Sequence, residues 1–349
     1  MKNVLAFETS CDETSVALLS VADTATGPHQ IRAESTYTQL EEHFAYGGVV
    51  PELASRAHLE RLTPLLNNVL RDAEAHLTDI DLIAATTGPG LTGALLTGST
   101  YGKSLAQALN LPFCSTNHLE GHALSPFLSE ESDFDFPYLL LLASGNHCQL
   151  IEVRGVGDYH QLGTTRDDAA GECFDKAARM LNLPTFSGAA VEKAAKDGDP
   201  FRFPLPIPHV PDLDFSFSGL KTALMRTLQN QPHQSEQQIM DAAAALQRAI
   251  AVHLANKVER ALQQTSLPHV VVAGGVAANT EVRNALHTVS TRNNATFRAP
   301  PLRLCTDNAS MIALAAGLRW HKHPQDAMPL PLVVRPRWPL SDLQLPQTI

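Results

Sequence analysis

The run Val4-Leu5-Ala6-Phe7-Glu8-Thr9-Ser10-Cys11-Asp12-Glu13-Thr14-Ser15-Val16-Ala17-Leu18-Leu19-Ser20-Val21 decides the fold. Residues 4–7 and 16–21 are short β-type apolar runs, and the polar stretch 8–14 between them reads as a turn. Working outward, Gly27-Pro28 breaks the chain before a third strand at 31–38. Leu53, Leu62, Leu65, Leu66, Val69 and Leu70 carry helical spacing through residues 52–75. A buried strand at 82–87, a helix at 91–109 and a short strand at 113–116 follow. Three meandering strands and then helix–strand–helix–strand make a mixed-sheet α/β lobe.

The same order then restarts. Strands at 138–143 and 148–153 flank a second small polar turn, Ser144-Gly145-Asn146-His147, with a third strand near 159–164 and a helix at 171–183. A buried strand at 269–273 runs into Gly274-Gly275, and a helix extends from about 279 to 290. Matching element order predicts a duplicated two-lobed chain, with no repeat at the residue level. The expected division is a first lobe over 1–117, completed by a C-terminal helix at 306–323. The second lobe spans 118–305 and holds the nucleotide and metal site, and a Pro-rich extended tail occupies 324–349. Residues 197–214, rich in proline and aromatics, read as an ordered insertion.

Composition narrows the function. Acidic residues outnumber basic ones by 36 to 26, giving a net charge of −10. A nucleic-acid coat protein leans the other way, so nucleic acid enters through a local basic patch or a basic partner. The nearest internal candidates for such a patch are Arg319, Lys322, Arg335 and Arg337. The five cysteines (Cys11, Cys114, Cys148, Cys173, Cys305) form no CxxC pair, which excludes a disulfide framework and a thiolate zinc site. The N-terminus lacks a signal-peptide pattern, and glycines and Lys103 interrupt the apolar stretch 80–113, so a cytoplasmic protein without a membrane span is expected.

Two phosphate motifs almost occur. Gly88-Pro89-Gly90-Leu91-Thr92-Gly93 fits GxGxxG between strand and helix, but no acidic residue closes the next strand as a dinucleotide fold requires. Gly98-Ser99-Thr100-Tyr101-Gly102-Lys103-Ser104 is one residue short of a P-loop and lies inside a helical stretch. His118-Leu119-Glu120-Gly121-His122 places two histidines four apart on one helical face, a metal-ligand spacing. A zinc protease shares it, yet Glu120 sits about 200° around the helix from either histidine and points away from them.

The turns 8–14 and 144–147 and the strand–Gly274-Gly275–helix junction, placed alike in two lobes, resemble the nucleotide clamp of the actin, Hsp70 and sugar-kinase (ASKHA) superfamily, with its duplicated ribonuclease H-like mixed sheets. Eight ordered motifs sharpen this: residues 8–14 (ETSCDET), 46–56 (YGGVVPELASR), 88–95 (GPGLTGAL), 118–122 (HLEGH), 167–176 (DDAAGECFDK), 214–222 (DFSFSGLKT), 273–279 (AGGVAAN) and 305–312 (CTDNASMI). Together they resemble the universal tRNA N6-adenosine threonylcarbamoyltransferase family (TsaD), once described as an O-sialoglycoprotein endopeptidase.

That resemblance implies transfer of a threonylcarbamoyl group from threonylcarbamoyl-AMP to N6 of adenosine 37 in tRNAs reading ANN codons, with release of AMP. It implies His118, His122 and Asp307 as ligands of one divalent metal, Fe2+ before Zn2+. Asp307 also has a plainer reading as the cap of the last helix. Leu142, Ala143, Ser144, Gly145, Asn146, Asp175, Gly188 and Asn279 match the family's contacts to the adenylate. Asp12 is the candidate acid–base group, with an Asx-turn acceptor as its plainer role. Implied partners are tRNA, the inactive paralogue TsaB as dimer partner and the P-loop ATPase TsaE. A metalloprotease and a non-catalytic nucleotide-binding subunit are the alternatives. The chain departs from the family where Asn146 and Cys148 replace a glycine and a threonine, and where Phe186-Ser187-Gly188 replaces PGG. Asn146 is expected to supply the left-handed backbone that glycine would otherwise provide.

Overall fold

The computed structural model describes residues 1–129, 134–229, 235–327 and 333–343. The chain divides into two compact units: Met1–Asp135 with Gly155–Tyr159 and Thr306–Ile349, and Phe136–Arg154 with His160–Cys305.

In the first unit β1 (Lys2–Glu8), β2 (Glu13–Val21) and β3 (Gln30–Thr38) form an antiparallel meander. Next come α1 (Leu40–Phe44) and α2 (Pro51–Asp72), then β4 (Leu82–Gly88), parallel to β1. After α3 (Thr92–Leu109), β5 (Phe113–Asn117) pairs parallel to β4 and runs into α4 (His118–Leu124). The sheet order is β3-β2-β1-β4-β5. Residues 4–8 and all of β4 are buried, which is why they read as unbroken apolar runs rather than alternating ones. Pro51 supplies the fixed φ that opens α2, and Asn110, at φ 54°, closes α3. Leu62, Leu65, Leu66 and Val69 of α2 share one core with Leu5, Phe7, Val16 and Leu18. Each fully buried leucine there contributes roughly 1.5–3 kcal/mol of transfer free energy.

The second unit repeats the plan. It holds β6 (Tyr138–Ala143), β7 (Cys148–Gly155), β8 (Asp158–Thr164), α5 (Ala170–Met180), α6 (Gly188–Ala195), α7 (Ser218–Gln229), α8 (Glu236–Thr265), β9 (His269–Ala273), α9 (Thr280–Arg292) and β10 (Thr296–Arg298). Its sheet order, β10-β9-β6-β7-β8, is the first unit's order with β6 standing for β1. The duplicated mixed sheets expected from the sequence are present.

The chain returns to the first unit as α10 (Ala309–Lys322), buried from Ala309 to Leu318. Its small residues permit close packing: a Cβ on Gly317 would lie 2.8 Å from Val21. Against α4, a Cβ on Gly121 would lie 2.9 Å from Ile312 and 3.0 Å from Met311. This packing makes α4 part of the first unit, which runs to Asp135 rather than stopping at 117. The expected metal ligands therefore all lie in the first unit.

Helices α6, α7 and α8 were not anticipated. The buried side of α8 is built largely of alanine, Ala242 to Ala245 among them, and alanine gives little periodic contrast. Ser235 and Gln238 form its capping box. Residues 197–214 contain no helix or strand. They are fixed by buried Phe203, Leu205 and Leu213, and by Lys257 Nζ donating to the carbonyls of Val210 (2.6 Å) and Asp212 (2.8 Å).

The C-terminal segment was expected as an extended tail over 324–349, of which 328–332 and 344–349 lie outside the described residues. The described part docks on the first unit instead. Arg335 N donates to Thr87 O (2.7 Å), Gly90 N to Pro336 O (3.2 Å), and Asn117 Nδ2 to Trp338 O (3.0 Å), with Leu340 and Leu343 buried. A Cβ on Gly88 would lie 2.0 Å from Arg335 O. The near-GxGxxG loop is thus covered by the chain's own backbone, which leaves no room there for a dinucleotide.

Candidate metal centre

Asn117 ends β5 and caps α4, its Oδ1 accepting from Leu119 N (2.8 Å) and Glu120 N (3.3 Å). The helix begins at once, so His118 and His122 fall on one face. Asp307 comes to them from the opposite end of the chain. Its Oδ1 lies 3.0 Å from His122 Nε2 and 3.4 Å from His118 Nε2, and the three ligand atoms lie within 4.8 Å of one another. Donors about 2.0–2.2 Å from one cation are about 3–3.5 Å apart, so the donor set fits a metal of the kind that two imidazoles and a carboxylate select. Asp307 does not cap α10; Asn308 does, its Oδ1 accepting from Met311 N (2.9 Å).

The electrostatics suit a cation. Both histidines are buried. Burial opposes charge on His118, but the Asp307 and Glu8 carboxylates outweigh it and hold its pKa well above the usual histidine value. Burial likewise opposes the Asp307 carboxylate, and the two imidazoles outweigh it and hold its pKa well below the usual value. Glu8, at the end of β1, lies 3.1 Å from His118 Nδ1. Glu8 was not a candidate in the sequence, since 110 residues separate it from His118. Its position at the strand end inside the ETSCDET turn was the one available signal.

Glu120 is fully buried and faces Tyr159 (Oη to Oε1, 2.9 Å) and Arg319 (Nη1 to Oε2, 3.3 Å), away from the imidazoles. Of the residues expected in a basic patch, Lys322, Arg335 and Arg337 are exposed, while Arg319 is not. Arg319 is committed to Glu120, Lys322 Nζ donates to Val156 O (3.0 Å), and Arg335 lies 5.0 Å over the Trp338 ring.

Asp12 is half-buried in the 8–14 turn, with its carbonyl accepting from Gln39 N (3.0 Å). Its neighbours in the turn are Cys11 and Glu13, both raised in pKa by burial first and by Asp12 among the charges around them. Burial first, then the charges of Asp307 and Asp12, push the Glu13 pKa well above the usual range. Burial also pushes the Cys11 thiol up, so this cysteine is not an activated nucleophile.

The remaining expected residues belong to the second unit. Leu142 and Ala143 end β6 fully buried, and the 144–147 turn closes through Ser144 N to His147 O (2.8 Å). The carbonyls of Ser144 and Gly145 accept from Gly171 N and Glu172 N at the start of α5, the helix that carries Asp175. Gly274, at φ 91°, brings the β9 turn against the same place, since a Cβ there would lie 2.5 Å from Ala143 O. Gly188 opens α6 beside Phe174, and Ser187, standing where the family has glycine, caps that helix through Ala190 N (3.3 Å). Asn279 caps α9 through Val282 N (3.1 Å) and donates to Gln247 Oε1 (2.9 Å), so its amide already has structural work. Asn146 is exposed and is not among the described residues with positive φ. The left-handed role expected of it is therefore not used; Ser144 closes the turn instead, its Oγ accepting from His147 N (3.2 Å).

Comparison with known proteins agrees with these features. Residues 30–314 match the model of the TsaD family, tRNA N6-adenosine threonylcarbamoyltransferase. Among relatives, the tRNA N6-adenosine threonylcarbamoyltransferase of Agrobacterium fabrum is 49% identical over 348 residues, covering 97% of this chain and 94% of its own. That of Brucella anthropi is 47% identical over 352 residues, covering 98% and 96%. Among solved structures, T.kodakarensis HypF is similar in fold with TM-score 0.62 and 15% identity, covering 94% of this chain and 49% of its own. Component A of the Acidaminococcus fermentans (R)-2-hydroxyglutaryl-CoA dehydratase matches with TM-score 0.53 and 16% identity, covering 94% and 100%. Motifs, fold and near-full-length identity lead to one family: the chain belongs to the tRNA N6-adenosine threonylcarbamoyltransferases.

Proposed function

We propose that this chain transfers a threonylcarbamoyl group from threonylcarbamoyl-AMP to N6 of adenosine 37 in tRNAs reading ANN codons, releasing AMP. The observation that carries the reading is the meeting of His118, His122 and Asp307 in a chain 47–49% identical to tRNA N6-adenosine threonylcarbamoyltransferases over nearly its whole length. Those three residues would hold one divalent cation, Fe2+ in preference to Zn2+. When bound, such a cation supplies Lewis-acid polarisation and charge neutralisation for an acyl phosphate.

The chain's own groups do the rest. The backbone of Leu142, Ala143, Ser144, Gly145 and Asn146 receives the adenylate phosphate, Asp175 takes a ribose hydroxyl, and Gly188 and Asn279 border the nucleoside. An adenine N6 amine is a weak nucleophile, so positioning supplies much of the rate. Asp12, in the 8–14 turn, accepts the proton that N6 loses. In the metalloprotease alternative the motif's own glutamate is unavailable as base, since Glu120 points into the protein toward Arg319. With a net charge of −10, tRNA is gripped together with the paralogue TsaB and the ATPase TsaE, in the cytoplasm. Among the described residues no helix is long and apolar enough to cross a membrane.

The test is to incubate the purified chain and partners with tRNA and threonylcarbamoyl-AMP, then digest the tRNA and analyse its nucleosides by mass spectrometry. Threonylcarbamoyladenosine should appear in step with AMP. Unmodified tRNA in the presence of metal and partners would contradict the reading.

A further inference from the structure

The 8–14 turn contributes more to the metal centre than a nearby acid–base candidate. Glu8 is fully buried, and both of its oxygens face donors. Oε1 accepts from Ser10 N (2.5 Å), while Oε2 accepts from Thr86 Oγ1 and lies 3.1 Å from His118 Nδ1. A buried carboxylate is costly unless hydrogen-bonded, so this one is built to stay where it is. Its contact also decides the imidazole's proton. If Nδ1 carried a lone pair, that lone pair would face a carboxylate oxygen at 3.1 Å, so Nδ1 carries hydrogen and donates to Glu8. Ser10 Oγ, 3.3 Å from the same nitrogen, lines the same side of the ring. The lone pair of the neutral ring then belongs to Nε2, the atom turned toward Asp307. His122 lacks such support among the described residues, where its buried Nδ1 has no hydrogen-bond partner.

We propose that Glu8 is the positioning residue of the metal centre, holding the His118 ring in the tautomer and orientation that present Nε2 for coordination, while His122 is left unclamped. The proposal rests on the reading of His118, His122 and Asp307 as metal ligands. Outer carboxylates that orient a ligating imidazole are worth about 10–100-fold in metal affinity.

Co2+ is the probe. The full chain is stripped with a chelator and titrated with Co2+ against a chromophoric competitor, and the visible absorption bands of the bound ion are recorded. Wild type, Glu8→Gln, Glu8→Ala and His118→Ala are compared, with thermal unfolding as the control for folding. Glu8→Gln keeps the shape of the side chain but replaces the charged acceptor. It should weaken Co2+ binding about tenfold or more and shift the absorption bands while leaving the unfolding transition close to wild type. Glu8→Ala, where it folds, should weaken binding further. Wild-type affinity and bands in Glu8→Gln would overturn the role of Glu8 with the metal centre intact. If His118→Ala also bound Co2+ as wild type does, the metal assignment would fall first and this proposal with it.

Discussion

Glu120 and Arg319 form a buried ion pair, 3.3 Å from Oε2 to Nη1, on the side of α4 turned away from His118 and His122. Tyr159 braces the pair, and Arg319 belongs to α10, so the carboxylate in the HLEGH motif ties α4 to α10. The helical arithmetic on the sequence predicted the direction; the partners became visible only in the fold.

Glu120→Gln is therefore expected to leave the metal bound and to reduce transfer less than His118→Ala, as measured by metal content and nucleoside analysis. Glu120→Ala removes the buried carboxylate that pairs with Arg319 and should cost about 3–5 kcal/mol in urea unfolding. Replacing both partners, Glu120→Leu with Arg319→Met, should recover much of that loss. A peptidase activity that disappears in Glu120→Gln would contradict this account.

Asn146→Val should be nearly silent in stability. The side chain is exposed and the backbone avoids the left-handed region, so a β-branched residue meets no strain. The unfolding free energy should move by no more than about 0.5 kcal/mol. A large drop would show that the turn needs a conformation that valine resists.

His253 sets a pH dependence. It is 1% exposed between Phe215 and Phe217, with ring centroids at 5.8 and 5.3 Å, and burial lowers its pKa to about 4. Its folded pKa lies below the unfolded value of about 6.5, so its contribution is complete above that pH and fades as the pH falls toward 4. Protonation should remove about 2–3 kcal/mol by pH 4.5 relative to pH 7.5. Urea unfolding of wild type and His253→Leu at both pH values measures it: the variant should lack this part of the pH dependence. Identical pH dependence in the two proteins would contradict it.

Binding of tRNA by the isolated chain should be weak and steeply salt-dependent, because the net charge is −10 and Arg319 is spent internally. Filter binding or fluorescence anisotropy across a salt series, with and without partners, decides the point. Tight binding by the chain alone at physiological salt would count against a borrowed tRNA surface.

What was legible in the sequence follows from what each signal depends on. Strands such as β1, β4, β6 and β9 announced themselves because they are buried on both faces, and a short apolar run bounded by turn residues records that directly. The 30-residue α8 did not, because alanines pack it. His118 and His122 were legible because one helical turn joins them. The role of Glu8 and the meeting of Asp307 with His122 depend on contacts across 110 and 185 residues, which no local pattern encodes. Docking of 335–338 over Gly88 and Gly90 belongs to the same class.

The central claim is that His118, His122 and Asp307 hold the metal that threonylcarbamoyl transfer requires. The direct measurement is turnover to threonylcarbamoyladenosine as a function of Fe2+ bound per chain, in chelator-stripped protein reloaded without oxygen, alongside Asp307→Ala. Turnover should rise in proportion to bound metal up to one ion per chain and fall at least about a hundredfold in the variant. Full turnover by metal-free wild-type protein would contradict the account.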